Sequence, residues 1–316
     1  PCCANLSREM KDNIRKKWVI TFSRRSDPAF FMDWFRERVR EGGCSVPNPF
    51  SGKPYAVSLR PEDVHILSFW TKNPGALLPC LKEFRERGCS LVFLISLTGY
   101  PRWLERHVPE PERLREDIQR LSEEIGQEAL WWRYDPVILT KSLDLSWHRE
   151  NFHRLCETVW SGRTSRAILS LAHIDGPYAG IRKSLTACCR ADGDELRMPS
   201  TGQPGYEEMY RNFVDLTADF TVQAGRAGIG DCGVCCSPGI REEDRARVRQ
   251  TRCLDLDHLR RIVPDLPDLP IRGTRRGSEP SGYAPCGCVE SRDIGINGTC
   301  GHGCLYCYAN RFKVSP

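Results

Sequence analysis

Cys300, Cys304 and Cys307 stand at the spacing Cys-x-x-x-Cys-x-x-Cys, with Tyr306 directly before the last of them. Three thiolates this close can hold three irons of a four-iron, four-sulfur cluster and leave the fourth iron without a protein ligand. An open coordination position separates a reactive metal centre from a sealed structural one. Gly298, Gly301 and Gly303 let the backbone wrap tightly here, since glycine tolerates positive φ. A second set lies upstream: Cys232, Cys235 and Cys236, then Cys253, then Cys286 and Cys288. Cys232, Cys235 or Cys236, Cys253, and Cys286 or Cys288 would together make a closed second site, an auxiliary iron–sulfur cluster or zinc. The alternative is a set of buried free thiols.

These residues are concentrated within an otherwise ordinary chain. Of 316 residues, 40% are hydrophobic and 28% charged, which excludes a disordered or coiled-coil chain. There are 17 cysteines, an odd count, and nine of them follow residue 231. No apolar run approaches the roughly 20 residues of a membrane span, and residues 1–18 lack the apolar stretch of a signal peptide. The expectation is a cytoplasmic protein with no membrane partner, where spaced cysteines act as metal ligands rather than disulfides. Cys2–Cys3 and Cys188–Cys189 read as non-ligands, and Cys44, Cys80, Cys89 and Cys156 as core. The net charge of +5 allows an anionic partner without requiring one. No phosphate-binding Walker loop, nucleophile elbow or His-Glu-x-x-His is present.

The elements that must position these residues alternate. Apolar or aromatic runs at 18–22, 64–69, 91–97, 129–134 and 167–172, with a weak one at 219–222, read as strands. Helical patterns lie between them. Asp27–Pro28 starts a helix that runs to Gly42–Gly43, and 77–87 ends at Gly88. Leu114, Ile118, Leu121 and Ile125 mark a third, while 147–160 and 206–216 read likewise. Near-continuous apolar strands separated by helices imply a parallel sheet covered on both faces. The fold class is α/β, a partial (β/α)6 TIM-like barrel with a cysteine-rich C-terminal segment. The expected divisions are a tail at 1–17, the partial barrel at 18–223, a cysteine-containing insert and connector at 224–285, and a cluster-binding segment at 286–316.

The three-cysteine spacing resembles the radical S-adenosylmethionine superfamily. The strand-end turns resemble its spore photoproduct lyase branch: SRRSDP at 23–28, WTKNP at 70–74, Ser96-Leu97-Thr98, and Arg133-Tyr134-Asp135-Pro136. Their order is that of the branch with the first unit moved to the end, which implies a circularly permuted barrel. CGCVESRDIGING at 286–298 would then supply the strand that leads into the cluster loop. The same motifs, over roughly 18–312, resemble an uncharacterised bacterial family of unknown function. That family has a cysteine near the position of Ala224, so the second ligand set departs from it here.

The resemblance implies that the open iron binds S-adenosylmethionine and that an electron from the cluster cleaves the sulfonium, giving a deoxyadenosyl radical. Tyr306 would border the adenine. Ligands bind at the C-terminal ends of parallel barrel strands, where Ser23, Arg24, Arg25, Asp27, Thr71, Lys72, Asn73, Ser96, Thr98, Arg133, Tyr134 and Asp135 fall. An arginine there suits a carboxylate, and the hydroxyls suit a ribose or amino group. Asp27 reads equally as a helix N-cap and Lys72 as a solvated surface lysine, whereas Arg133 at a buried strand end needs a partner. His173 and Asp175 read as a plain loop pair. The expected partners are an electron donor such as flavodoxin or ferredoxin and an unknown substrate. Two rival readings are a zinc or iron–sulfur structural protein and a nucleic-acid binding or repair protein, the latter resting on basic stretches at 241–252 and 272–276.

Overall fold

The computed structural model describes residues 17–48, 51–271 and 286–311. Residues 1–16, most of the expected connector and the basic stretch at 272–276 lie outside the described residues.

Eight parallel strands form one curled sheet, a half-barrel. In chain order they are β1 (Trp18–Phe22), β4 (Val64–Thr71), β5 (Ser90–Ser96), β6 (Leu130–Val137), β7 (Arg166–Leu171), β8 (Asp231–Cys235), β9 (Gln250–Thr251) and β10 (Ser291–Asp293). A small antiparallel hairpin, β2 (Gly43–Pro47) with β3 (Pro54–Ser58), stands apart. The helices are α1 (Met32–Glu41), α2 (Leu81–Glu86), α3 (Pro111–Ile125), α4 (Leu145–Leu155), α5 (Ala179–Ala191), α6 (Tyr206–Arg226) and α7 (Leu256–Ile262). Among the described residues, no helix is long and apolar enough to cross a membrane.

The period of two along a strand divides the sheet into two faces. Leu67, Phe69, Phe93, Trp132, Leu169 and Val234 face the larger core, with Phe35, Leu114, Phe152 and Phe220 from the helices. Val19, Ile66, Trp70, Val92, Leu94, Trp131 and Ile168 face a smaller one, which also contains Cys235, Cys253 and Cys288. Trp131 and Trp132 are both fully buried although they face opposite ways. Each large side chain removed from water contributes roughly 1.5–3 kcal/mol, which explains why these strands read as unbroken apolar runs.

Two expectations are corrected. The weak strand at 219–222 lies inside α6, where Phe213, Leu216, Phe220 and Ala224 recur on one buried helix face. That 3.6-residue period outweighs the β-propensity of the local Phe-Thr-Val. The sheet also has more than six strands, because β8, β9 and β10 extend it.

The 286–298 segment does supply a strand. Val19, Ile20 and Thr21 pair in parallel with Ser291, Arg292 and Asp293. β10 is thus one edge of the sheet and β9 the other. The chain just before β10 reaches back towards β9, since the Val289 amide donates to the Leu254 carbonyl at 3.0 Å and the Glu290 amide to that of Pro270 at 2.7 Å. At Gly287 the crossing is close: a Cβ there would lie 2.5 Å from Arg252 Nε and displace that side chain.

Candidate metal centres

The loop carrying Cys300, Cys304 and Cys307 seats on the carboxyl ends of β1, β4 and β5. Two buried acids anchor it. Asp27, after β1, accepts hydrogen bonds from the Ala29 amide (2.9 Å), the Thr71 hydroxyl (2.6 Å) and the Lys72 amide (2.7 Å). His302 Nε2 lies 2.7 Å from Asp27 Oδ2, the oxygen that accepts from the Lys72 amide. Glu105, after β5, is 3% exposed. It accepts from Lys72 Nζ at 2.7 Å, from Thr98 at 2.8 Å and from the Tyr306 hydroxyl. Glu105 also forms a backbone bridge with Cys304. Gly303 takes a φ of +66°, which favours glycine, and a Cβ on Gly301 would meet the exposed Phe30 ring at 2.9 Å and push it aside.

Cys304 is buried, while Cys300 and Cys307 are half-buried. Burial raises the Cys304 thiol against the pull of nearby Lys72, and pushes the Cys300 thiol up to about 11. Their sulfurs do not all lie within 4.8 Å of one another. A single tetrahedral ion with metal–sulfur bonds of 2.3 Å would need sulfurs about 3.8 Å apart. Three thiolates on one loop suit a multi-iron cluster in which each takes its own iron. Asp27, Glu105 and His302, which border the loop, are engaged with one another or with Lys72, Thr98 and Tyr306. The three thiols are thus the donors the loop offers to a metal group.

Arg24 and Arg133 flank the Trp70 ring, with guanidinium carbons 4.7 and 4.6 Å from its centroid. Nε and Nη2 of Arg24 and Nε of Arg133 are buried and lack a hydrogen-bond partner among the described residues. Arg133 also reaches Ser96 at 3.3 Å and pairs with Asp135. The Tyr308 hydroxyl donates to the Arg24 carbonyl at 2.6 Å. Ser23 and Arg25 turn instead to β10. Ser23 donates to the Asp293 carboxylate at 2.9 Å, and Arg25 Nη2 to the Asp293 carbonyl at 2.9 Å.

The second thiol group lies in the smaller core. Sulfurs of Cys235, Cys253 and Cys288, all buried, lie within 4.8 Å of one another. Cys253 is 3.3 Å from Cys235, and Cys236 is 3.7 Å from Cys235. Cys286 borders both Cys236 and Cys288. Cys288 is drawn well below the ordinary thiol range by hydrogen bonds from Cys235, Cys253 and Cys286, with Arg24 adding its charge. Behind the group, fully buried Arg166 bonds Asp231 (2.7 Å), the Arg252 carbonyl (2.6 Å) and Thr251. His258 bridges Asp231 and Asp255, at 3.1 Å from each. These contacts fix the turn that carries Cys253.

Of the residues singled out from sequence, the structure does not bring Cys232 to this group. It faces the larger core, because residues 232 and 235 lie on opposite faces of β8. Sequence reasoning missed Glu105, Asp293, His302 and the Arg166 network. Glu105 lies between motifs, Asp293 lies within the 286–298 segment but was not singled out there, and only the Cys-Gly-His-Gly-Cys context hinted at His302. In the basic run, Arg241, Arg245, Arg247, Arg249 and Arg252 each pair with a carboxylate. That run is a solvated, neutralised face.

Fold and site together describe an α/β half-barrel protein with thiol groups at the carboxyl ends of its strands. The chain belongs to a family described as a domain of unknown function, DUF1848, which matches residues 19–309. No curated protein matches the chain. Solved structures that match include two of the pneumococcal StrH. One concerns inhibition of this virulence factor and N-glycan recognition and hydrolysis (10% identity, TM-score 0.30, 77% of this chain, 58% of that one). The other concerns the tandem GH20 catalytic modules of this exo-β-D-N-acetylglucosaminidase (10%, 0.29, 77%, 59%). A Prevotella bryantii endo-β-mannanase/endo-β-glucanase matches at 9% identity and a TM-score of 0.22, over 74% of this chain and 47% of that one. This chain thus spans under three fifths of each of these three chains.

Proposed function

We propose that the protein is a radical S-adenosylmethionine-type iron–sulfur enzyme on a circularly permuted half-barrel. The observation that carries this reading is the three-thiol loop at the strand ends, where the neighbouring acids and His302 are already engaged. Cys300, Cys304 and Cys307 would hold the cluster, which when bound supplies one electron and an open iron for the cofactor's amino and carboxylate groups.

The chain's own residues then have distinct tasks. Glu105 fixes Tyr306 and Lys72 in place, so Tyr306 presents a rigid ring edge to an adenine. Lys72 neutralises Glu105 in a buried pair and keeps a positive charge near Cys304. Arg24 and Arg133, stacked on Trp70 with unmet N–H groups, present a cationic surface to a carboxylate or another anionic group. Asp293 and Asp27 lock the two chain ends of the site, through Ser23 and Arg25 on one side and His302 on the other. Placement of β10 beside β1 supports the permuted order. The reading implies a one-electron donor such as a flavodoxin or ferredoxin.

Anaerobically reconstituted and reduced protein, incubated with S-adenosylmethionine, is expected to release 5′-deoxyadenosine, measured by chromatography. Cys304→Ala is expected to release none. Equal release from both, or none from fully reconstituted wild type, would sink the proposal.

A further inference from the structure

We propose that Cys235, Cys253 and Cys288 hold a single tetrahedral thiophilic ion, zinc or iron without sulfide, which clasps the two edges of the half-barrel together. The fourth thiolate comes from Cys236 or Cys286, which border the triad on either side.

The geometry distinguishes one ion from a cluster. Tetrahedral bonds of 2.3 Å place sulfurs about 3.8 Å apart; here the triad's sulfurs all lie within 4.8 Å, with Cys253 3.3 Å and Cys236 3.7 Å from Cys235. A four-iron cluster would spread its thiolates over separate irons. The surroundings suit a charged thiolate site. Arg24 stands near Cys253, Cys286 and Cys288, and Arg133 near Cys253, so two cations balance the negative charge. Soft thiolates select zinc or iron over hard cations. Cys236 holds a φ of +63°, unusual for a residue with a side chain, and this turn brings its sulfur back beside that of Cys235.

The position explains the purpose. Cys235 ends β8 and Cys253 follows β9, at one side of the sheet, whereas Cys288 precedes β10 at the opposite edge. The Leu254 amide donates to Cys288 Sγ at 3.4 Å, and the adjoining Val289 amide to the Leu254 carbonyl. An ion bound here ties both edges at the point where they meet. The inference does not depend on the chemistry proposed for that loop.

The test uses the full chain with Cys300, Cys304 and Cys307 all replaced by alanine, so that only the second group remains. Expressed with zinc and iron both supplied, it is expected to carry about one metal per chain with no acid-labile sulfide. Adding Cys253→Ala is expected to lower that at least tenfold, and adding Cys232→Ala to leave it unchanged. Should the Cys253 variant fail to fold, cobalt titration of metal-free protein replaces it, with a thiolate-to-cobalt charge-transfer band saturating at one equivalent. Hydrogen exchange at the Val289 amide is expected to quicken at least tenfold when metal is removed. Stoichiometric sulfide, no metal and no cobalt band, retention in the Cys253 variant, or unchanged exchange at Val289 would each overturn the proposal.

Discussion

The two thiol groups differ in what stands behind them. Cys235, Cys253 and Cys288 are gathered tightly in an apolar core and backed by the Arg166–Asp231–His258–Asp255 network. Cys300, Cys304 and Cys307 are spread along a loop that is pinned from outside by Asp27 and Glu105. A sealed site needs its ligands converging and its strands braced. A reactive site needs its ligands held apart from other donors, so that one position remains for a cofactor. In this chain the acids at the second place are occupied with holding the loop.

The largest effect should come from the bracing network. Arg166→Met removes the fully buried one of Asp231's partners, leaving Arg249 and His258, and also the donors to Thr251 and the Arg252 carbonyl; it should cost about 3 kcal/mol in denaturant unfolding. The same variant should weaken metal retention at Cys253 while sparing the Cys300 group. A stability loss under about 1 kcal/mol would show that Arg166 does not brace the thiol group.

Glu105→Gln should follow, at about 2–3 kcal/mol, because Lys72 is left charged and nearly enclosed. Its distinctive outcome lies at the open loop: cluster incorporation falls while metal at Cys253 is unchanged. Equal losses at both sites would erase the proposed division between them. Cys304→Ala should cost only about 1 kcal/mol in stability yet abolish cluster binding. Unfolding midpoints measured beside iron content separate the two effects.

The smallest effect is a pH dependence confined to the braced side. Hydrogen bonds to the carboxylates of Asp231 and then Asp255 raise the His258 pKa above its ordinary 6.5. Its contribution is therefore complete below about 6.5 and is lost as pH rises through the higher folded value. Burial pushes the Asp255 carboxyl up, but the His258 bond and Arg166 outweigh it and leave it at about 2. That contribution is present above the unfolded value near 3.9 and is lost as pH falls towards 2. The stability gap between wild type and His258→Gln should thus shrink as pH rises above neutrality. A gap constant from pH 5 to 9 would contradict the assigned network.

Much of this arrangement was legible in the residues. Apolar runs in β1, β4, β5, β6 and β7 mark strands because both their faces are buried, and Phe35, Val39, Leu114 and Ile118 mark helices by period. The Asp27–Pro28 signal is a real cap, over a short turn rather than the start of α1 itself. β8 was obscured because Gly233 and two cysteines replace the usual branched residues. The ligand sets were readable as cysteine counts, but not which face of β8 each thiol takes. Cys232 and Cys235 differ by an odd number of residues, and only the observed strand register shows that this separates them. Glu105 and Asp293 were invisible because an acid with a structural role shows itself through its partners, most of them distant in sequence: Lys72, Thr98 and Tyr306 for the buried Glu105, Ser23 and Arg25 for the half-buried Asp293.

The most direct measurement is electron paramagnetic resonance of the reduced, anaerobically reconstituted protein, recorded with and without S-adenosylmethionine. The account predicts a cluster signal that changes shape when the sulfonium compound is added, disappears in Cys304→Ala and persists in Cys253→Ala. A signal indifferent to the compound, or one that follows Cys253 instead of Cys304, would contradict it.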